Sequence, residues 1–381
     1  MGFRKKICIV GVGETKVGKL PGRDSITIGA EAAKLALEDA GLKNTDIDAV
    51  YVKGLMDEPE FMYSVHFFEY MGMRPKLTSV MDLGGASPLG MLAHAAAAID
   101  AGLADVALCV EGENDATFQP RQQGVGMTRV NEEALGIYGC VAAPISYAMV
   151  ARRHMHKYGT TGEQMAAVAV AMRKHAVLND NAQMRTPITV EDVMNSRWIA
   201  EPLHLLDCCL VSDGGGAFIV TTEEIARNCR KKPVYVLGIS GQQTHSSLSQ
   251  IADITNVGAF DAAPRVWEMA GLGPKDMDLA QIYDCFTITV MEQLEAYGFC
   301  GRGESGPYVE GGRIELGGEL PVNTHGGLLS QAHIDGMLHV TEAVRQLRGE
   351  CGARQVPNAK LELVTGNGGI LSTHMGAVFA I

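Results

Sequence analysis

The sequence lacks any run of 18 apolar residues, which is about the length that a helix needs to span a membrane. Its first apolar segment, residues 7–10, is too short for a signal peptide. It also lacks a Cys-x-x-Cys pair, and its 9 cysteines show no disulfide-like spacing, so we expect a reducing, cytoplasmic setting. Because no set of Cys and His residues has the spacing of zinc ligands, we predict no metal site.

Basic side chains are outnumbered by acidic ones. There are 32 Lys and Arg against 44 Asp and Glu, which gives a formal net charge of −12 at pH 7. That sign opposes general binding to nucleic acid or to anionic lipid, so we expect neither as a partner. A local basic pocket for an anionic cofactor is still compatible with it.

The composition is that of a globular protein with a large core. Apolar residues make up 46% and charged residues 20% of 381 residues, and the 45 glycines indicate many tight turns and close backbone contacts. This length predicts two or three compact units and excludes extensive disorder.

The chain repeats one pattern at a distance of about 230 residues. Residues 33–42 have helical apolar spacing that stops at a glycine, and a short strand follows at residues 50–52. Residues 263–272 and a strand ending at Ile282 repeat that order. In both copies the glycine is placed for a left-handed helix end.

Two further pairs support the duplication. A helix from Pro88 to about Ala101, with Ser87 predicted as its N-cap, is apolar on nearly every side, which indicates burial all round. Residues 336–347 repeat it. Glycine turns leading into apolar strands are predicted to close each half, at residues 213–220 and 367–381.

These patterns predict an α/β protein with two duplicated βαβαβ-type halves, whose buried helices lie between two sheets. We assign residues 1–113 and 207–228 to the first half and residues 229–381 to the second. The more polar, helix-rich residues 114–206 are predicted to be an inserted loop region over the first half that caps an active site.

Several motifs resemble the thiolase superfamily, and above all its sterol-carrier-protein-2-type thiolases and steroid side-chain aldolases. They are the glycine-rich residues 80–88 before a buried helix, the tetrad Tyr283-Asp284-Cys285-Phe286, His333 after a Leu-Ser turn, and the glycine loop at residues 365–369. The resemblance covers essentially the whole chain. It implies a layered αβαβα thiolase fold and chemistry at a carbon–carbon bond of a coenzyme A thioester.

The resemblance also implies partners. Thiolases are dimers or tetramers, so a homodimer is expected here. Relatives without a fused lipid-carrier domain work with a small zinc-ribbon/OB-fold subunit, and no such domain follows the last predicted strand. A heterotetramer with that subunit is therefore a further expectation.

Carried over residue by residue, the resemblance points to an altered site. The family's nucleophilic cysteine is followed by Ala-Ser, and the matching residue here is Gly85; the acid/base cysteine of ordinary thiolases matches Gly366. In the sterol-carrier branch that second role belongs to the tetrad cysteine, here Cys285, while Tyr283 replaces the tetrad's histidine. The histidine that binds the thioester oxygen matches His333.

Two mechanisms fit this mixture. Thiolysis needs a nucleophile that accepts the acyl group, whereas retro-aldol cleavage of a 3-hydroxyacyl-CoA needs only a base and a polarised thioester. We therefore favour a lyase in which Tyr283 or Cys285 is the base. His333 and the backbone amides near Gly85 and Gly368 would then hold the enolate oxygen, and His374 in the C-terminal loop is a further candidate catalytic residue.

Two other functions are compatible with the same motifs. A true 3-ketoacyl-CoA thiolase could use Cys285 or direct attack by CoA, and a degenerate thiolase fold could serve as a CoA-ester-binding scaffold subunit. His333, Tyr283 and Cys285 are also ordinary packing or loop residues on composition alone.

Overall fold

A computed structural model describes residues 3–55, 60–118 and 135–381. The strands are β1 (Ile7–Glu14), β2 (Ala49–Lys53), β3 (Leu77–Met81), β4 (Val106–Asn114), β5 (Trp198–Ala200), β6 (Leu203–His204), β7 (Asp213–Thr222), β8 (Val234–Gln243), β9 (Leu279–Gln281), β10 (Leu361–Gly368) and β11 (Thr373–Ala380). The helices are α1 (Ser25–Ala40), α2 (Tyr63–Tyr70), α3 (Ser87–Asp100), α4 (Ala143–Tyr158), α5 (Gly162–Val177), α6 (Val190–Asn195), α7 (Glu223–Ala226), α8 (Ala259–Ala270), α9 (Thr287–Ala296), α10 (Ser305–Val309), α11 (Gly327–Ser330) and α12 (Met337–Arg348).

The strand order shows the duplication directly. The main sheet runs β3-β2-β4-β7-β1-β8-β11-β10-β9, and the two halves meet where β1 pairs with β8. Moving outward from that junction, the first half has two antiparallel pairs, β1–β7 and β7–β4, and then the parallel pair β4–β2. The second half repeats this with β8–β11, β11–β10 and the parallel pair β10–β9.

The helix ends repeat as well. Helix α1 ends at Gly41 with φ 73°, and α8 ends at Gly271 with φ 67°. Both values lie in the left-handed region, which glycine adopts without the steric cost that a Cβ atom brings. The predicted helix–glycine–strand repeat is confirmed.

Helices α3 and α12 lie between the two halves of the sheet. Their apolar residues share one core cluster with the inner faces of both halves, including Leu92 on α3, Val340 on α12, Phe218 on β7 and Phe379 on β11. Separate clusters hold α1 and α2 on the outside of the first half and α8 and α9 on the outside of the second. The predicted layered α/β architecture is thus confirmed.

Two local predictions differ from the structure. Ser87 is the first residue of α3 and not its N-cap; its Oγ accepts a hydrogen bond from the backbone N–H of Leu83, 2.9 Å away. Residues 213–216 are strand residues rather than a turn, and of the predicted turn at residues 367–369 only Gly369, with φ 61°, lies outside the strand. Glycine is needed there for close approach, since a Cβ atom on Gly215 would lie 2.9 Å from the side chain of Ile28.

The described part of the inserted region packs on the second half, contrary to the prediction that it lies over the first. Val150 of α4 and Met165 of α5 share a core cluster with Ile288 and Leu294 of α9. The boundaries assigned to the three regions stay predictions. Among the described residues, no helix is long and apolar enough to cross a membrane.

Candidate active site

The turn before α3 is in direct contact with the strand-end residue Tyr283. Gly84, with φ 53°, and Gly85 lead into the buried helix. A Cβ atom on Gly85 would lie 2.1 Å from both Cζ and Oη of Tyr283, which is far inside contact distance. The phenol ring of Tyr283 therefore fills the space that a side chain at position 85 would occupy.

The main chain of Tyr283 makes two hydrogen bonds that hold this residue in place. Its N–H donates to Oγ1 of Thr365, 3.0 Å away, and its carbonyl accepts from Nε2 of Gln293 at 2.8 Å. These bonds tie the residue after β9 to β10 and to α9. The main chain from which the ring projects is thus fixed by buried hydrogen bonds.

His333 faces the Tyr283 hydroxyl. Tyr283 Oη and His333 Nε2 lie 3.4 Å apart, and the backbone N–H of His333 donates to Oγ of Ser212 at 2.9 Å. Position 333 is reached after α11, and the residues that follow it lead into α12. The structure brings together these two residues, which are distant in sequence, as predicted.

Both groups are neutral at neutral pH. Burial raises the pKa of Tyr283 well above its usual value, and the negative charge of Asp335 adds to this. Burial lowers the pKa of His333, although Asp335 and Asp115 oppose that change. A neutral imidazole beside a neutral phenol can accept the phenolic proton, so the pair has the composition of a proton relay.

Cys285 lies in the same buried region but is a poor nucleophile. Burial raises the pKa of its thiol to about 12, and a hydrogen bond with Tyr147 only partly opposes this. At neutral pH the sulfur is therefore protonated, whereas a thiolate is the reactive form.

Tyr147 of α4 is a site residue that the sequence reasoning missed. Its hydroxyl donates to the carbonyl of Gly369 at 2.9 Å and accepts from Nδ2 of Asn367 at 3.3 Å, while its ring stacks on Phe286 with centroids 4.4 Å apart. Nothing in the local pattern of α4 distinguishes this tyrosine from a core residue. Only the packing of the inserted region on the second half reveals it.

The two glycine segments predicted to line the site are in contact. A Cβ atom on Gly368 would lie 1.7 Å from the carbonyl oxygen of Leu83, and one on Gly366 would lie 2.9 Å from the carbonyl oxygen of Gly85. Neither position has room for a side chain. The backbones of residues 83–85 and 366–368 therefore form one wall beside Tyr283.

His374 has a different environment from the other candidates. It is buried on β11, and its Nε2 lies 2.9 Å from the hydroxyl of Tyr297. Burial lowers its pKa to about 3, so the ring stays neutral. The structure links it to Tyr297 and gives it no bond to Tyr283, Cys285 or His333.

A cluster of charged side chains lies behind His333. Lys53 Nζ is 3.1 Å from Asp335 Oδ2 and 3.7 Å from Glu111 Oε1, and it also contacts Glu113. The three carboxylates offer oxygen atoms within 4.8 Å of one another, a spacing that can suit a metal ion. Because the Lys53 ammonium already lies among them and balances part of their charge, we assign no metal there.

A surface groove with a volume of about 570 Å³ lies along α4. Its lining combines apolar side chains, such as Ile145 and Met149, with Arg152, Arg153 and Glu201. Arg152 and Glu201 form an ion pair, with Nη2 and Oε1 2.6 Å apart.

Comparison with known proteins shows the family. Residues 7–224 match the model of the thiolase N-terminal domain, and residues 240–381 match that of the thiolase C-terminal domain-like family. In a solved structure described as an Ltp2-ChsH2(DUF35) aldolase, the similar chain is 36% identical with a TM-score of 0.91, covering 100% of this chain and 99% of that one.

The curated relatives are named for two types of reaction. A steroid side-chain-cleaving aldolase of Thermomonospora curvata is 38% identical over 90% of both chains. A 17-hydroxy-3-oxo-4-pregnene-20-carboxyl-CoA lyase of Mycobacterium tuberculosis is 36% identical over 95% of this chain and 96% of its own. An acetyl-CoA acetyltransferase of Methanothermobacter thermautotrophicus is 36% identical over 97% of this chain and 99% of its own. The chain belongs to the thiolase superfamily, and it resembles the branch that includes the steroid side-chain aldolases.

Proposed function

We propose that this chain is a lyase that cleaves the C2–C3 bond of a 3-hydroxyacyl-CoA by a retro-aldol reaction. The observation that carries the proposal is the position of Tyr283. Its ring fills the side-chain space of Gly85, and its hydroxyl reaches His333. A thiolase site needs a thiol in that space, whereas a retro-aldol site needs a proton acceptor.

The proposed reaction uses the two residues as a relay. Tyr283 Oη accepts the proton of the substrate 3-hydroxyl while its own proton passes to Nε2 of His333. The C2–C3 electrons move toward the thioester, so that C3 becomes a carbonyl and C2 becomes part of an enolate. The enolate oxygen is stabilised by backbone N–H groups beside Gly85 and Gly368, and protonation at C2 from the relay gives the shortened acyl-CoA.

We assign Tyr283 rather than Cys285 as the base because of the group that each side chain contacts. Both groups have raised pKa values, but Tyr283 has a proton acceptor within reach in His333. Cys285 instead faces Tyr147, another protonated group. We therefore assign Cys285 to packing and hydrogen bonding, and place His374 outside the catalytic set.

Thiolysis of a 3-ketoacyl-CoA is the second candidate, because one relative with 36% identity is named an acetyltransferase. It would need Cys285 as nucleophile or direct attack by CoA. Loss of the covalent step lowers the rate without forbidding cleavage, since bound CoA supplies proximity.

One assay separates these readings. Purified protein is incubated with a 3-hydroxyacyl-CoA and with the matching 3-ketoacyl-CoA, each with and without free CoA, and products and intact protein mass are measured. A lyase releases a carbonyl product and a shorter acyl-CoA from the hydroxy substrate without free CoA and forms no adduct. Product only from the keto substrate with CoA, or an acyl-protein adduct, would support thiolysis. Inertness, alone and with a partner subunit, would support a scaffold role.

The groove on α4 is our proposed site for the phosphates of CoA. Arg152 and Arg153 supply positive charge, although Arg152 also pairs with Glu201 in the wall of the groove, and α4 carries Tyr147, which reaches the site. Arg153→Glu should raise KM for an acyl-CoA severalfold with little change in kcat. Lys34→Glu on α1 is the control, since Lys34 belongs to an exposed pair with Glu38. An unchanged KM in Arg153→Glu would exclude this groove.

Two partners follow from the same reasoning. Strand β3 forms an edge of the main sheet and exposes Ser79 and Val80, so a second copy can add there by strand pairing.

The similar aldolase structure carries DUF35 in its description, which supports a small partner subunit. We propose a homodimer that can join such a subunit as a heterotetramer. Light scattering of wild type and Val80→Pro tests the dimer, which should dissociate in the variant.

A further inference from the structure

The buried charge cluster behind His333 joins the two halves of the molecule. Lys53 ends β2 and Glu111 and Glu113 lie on β4, all in the first half, while Asp335 lies just before α12 in the second. All four side chains are buried. The cluster is therefore a charged contact across the central layer, next to the proposed relay.

Asp335 connects this cluster to the relay through the backbone. It lies two residues after His333 and has φ 38°, a left-handed conformation that is uncommon outside glycine. The next residue, Gly336, packs so closely on the turn before α3 that a Cβ atom there would lie 2.8 Å from the carbonyl oxygen of Gly85. The segment from 333 to 336 is thus held by Lys53 at one side and by Gly85 at the other.

The charges of the cluster do not balance unless a carboxyl is protonated. Three carboxylates face one ammonium in a site without exposed surface, and a second unpaired negative charge there is costly. Neither side-chain oxygen of Glu111 accepts a hydrogen bond from the described residues. Glu111 is thus the group best placed to hold a proton.

The directions of the pKa shifts agree with a proton on Glu111 and a charged Lys53. Burial raises the pKa of Glu111 well above its usual value and that of Glu113 to about 7, with Lys53 opposing both changes. Burial alone would lower the pKa of Lys53, but Asp335, Glu113 and Glu111 outweigh it and keep the ammonium charged. Asp115 is a further negative charge acting on Glu113 and on His333.

We propose that Lys53 is a positioning residue for the reaction. By holding Asp335 across the two halves, Lys53 places His333 against Tyr283. The proton shared by Glu111 and Glu113 makes this arrangement pH-dependent. The expected effect of Lys53 on kcat rests on the proposed function. The expected effect of Lys53 and Asp335 on the pKa of His333 holds whatever reaction the site performs.

The first test measures the pKa of His333 by NMR, with its ring signal assigned by its loss in His333→Gln. Lys53→Met removes a positive charge that lowers the pKa of His333, so that pKa should rise. Asp335→Asn removes a negative charge that raises it, so the pKa should fall. No shift in either folded variant would overturn the proposed contact, independently of any activity.

The second test is kinetic. With a 3-hydroxyacyl-CoA that the wild type cleaves, Lys53→Met should lower kcat roughly ten- to hundredfold with a much smaller change in KM. Glu113→Gln should remove an inflection near pH 7 from the pH profile of kcat. A wild-type kcat in folded Lys53→Met, or a wild-type profile in Glu113→Gln, would contradict the positioning role.

The chain offers a matched control. Glu292 on α9 is also a buried carboxylate whose oxygens accept no hydrogen bond from the described residues, and its pKa is raised by burial. Glu292→Gln should leave the pKa of His333 and the pH profile of kcat unchanged. If Lys53→Met does not fold, judged by its melting curve, Asp335→Asn and Glu113→Gln decide the matter by the same measurements.

Discussion

Tyr283 and Gly85 share one side-chain position: the phenol of the first stands 2.1 Å from where a Cβ atom of the second would be. The large side chain at 283 therefore fits only because position 85 has no side chain. A phenol next to an imidazole thus lies beside the N-terminus of α3, where the resemblance to thiolases predicts a thiol. Such an arrangement favours proton transfer over acyl transfer.

Tyr283→Phe should lower kcat/KM for retro-aldol cleavage by roughly 10²- to 10⁴-fold, because it removes the proton acceptor and retains the ring's packing. Steady-state kinetics with a 3-hydroxyacyl-CoA measures this. Tyr297→Phe is the matched control, since it deletes another buried hydroxyl, the partner of His374. A loss in Tyr297→Phe as large as in Tyr283→Phe would return His374 to the catalytic set.

Gly85→Cys should not convert the protein into a thiolase. The new side chain would collide with Tyr283, and overpacking of this kind costs about 1–3 kcal/mol of unfolding free energy. Denaturant unfolding and intact mass after addition of a 3-ketoacyl-CoA are the measurements. Combining Gly85→Cys with Tyr283→His should recover much of that stability, because the smaller ring relieves the contact. Stable acylation of the single variant would show that the site tolerates both groups.

Apart from the inflection near pH 7 assigned to Glu113, the pH profile of kcat/KM should have an acidic limb with a midpoint below about 6.5, because burial lowers the pKa of His333 and the relay needs its neutral form. The sign follows from that direction: the neutral form persists to lower pH than in an exposed histidine, and activity is lost as the pH falls through the lowered pKa. His333→Gln should have a lower rate and no such acidic limb. A wild-type acidic limb in that variant would assign the titration to another group.

Cys285→Ser should keep kcat within about fivefold of wild type, since a thiol whose pKa is raised to about 12 contributes little thiolate at neutral pH. Cys209→Ser is the control for the loss of a partly buried thiol whose pKa is also raised by burial. A fall of a hundredfold or more in Cys285→Ser alone would indicate covalent catalysis.

The sequence by itself determined the duplicated architecture. The two helix–glycine ends, at Gly41 and Gly271, follow from local rules, because apolar spacing and the left-handed preference of glycine act within a few residues. It also predicted that Tyr283, Cys285 and His333 belong to one site, through motifs that the resemblance made recognisable. These features depend on short segments that can be read one at a time.

Only the tertiary structure decided which candidates meet. It linked His374 to Tyr297, brought Tyr147 from the inserted region to Asn367, and placed Lys53 against Asp335. Each of these contacts joins residues far apart in the chain, where periodicity and spacing carry no information. Burial of charge depends on the packing of both halves, and therefore the pKa changes that adjust the proposed relay arise only in the folded protein.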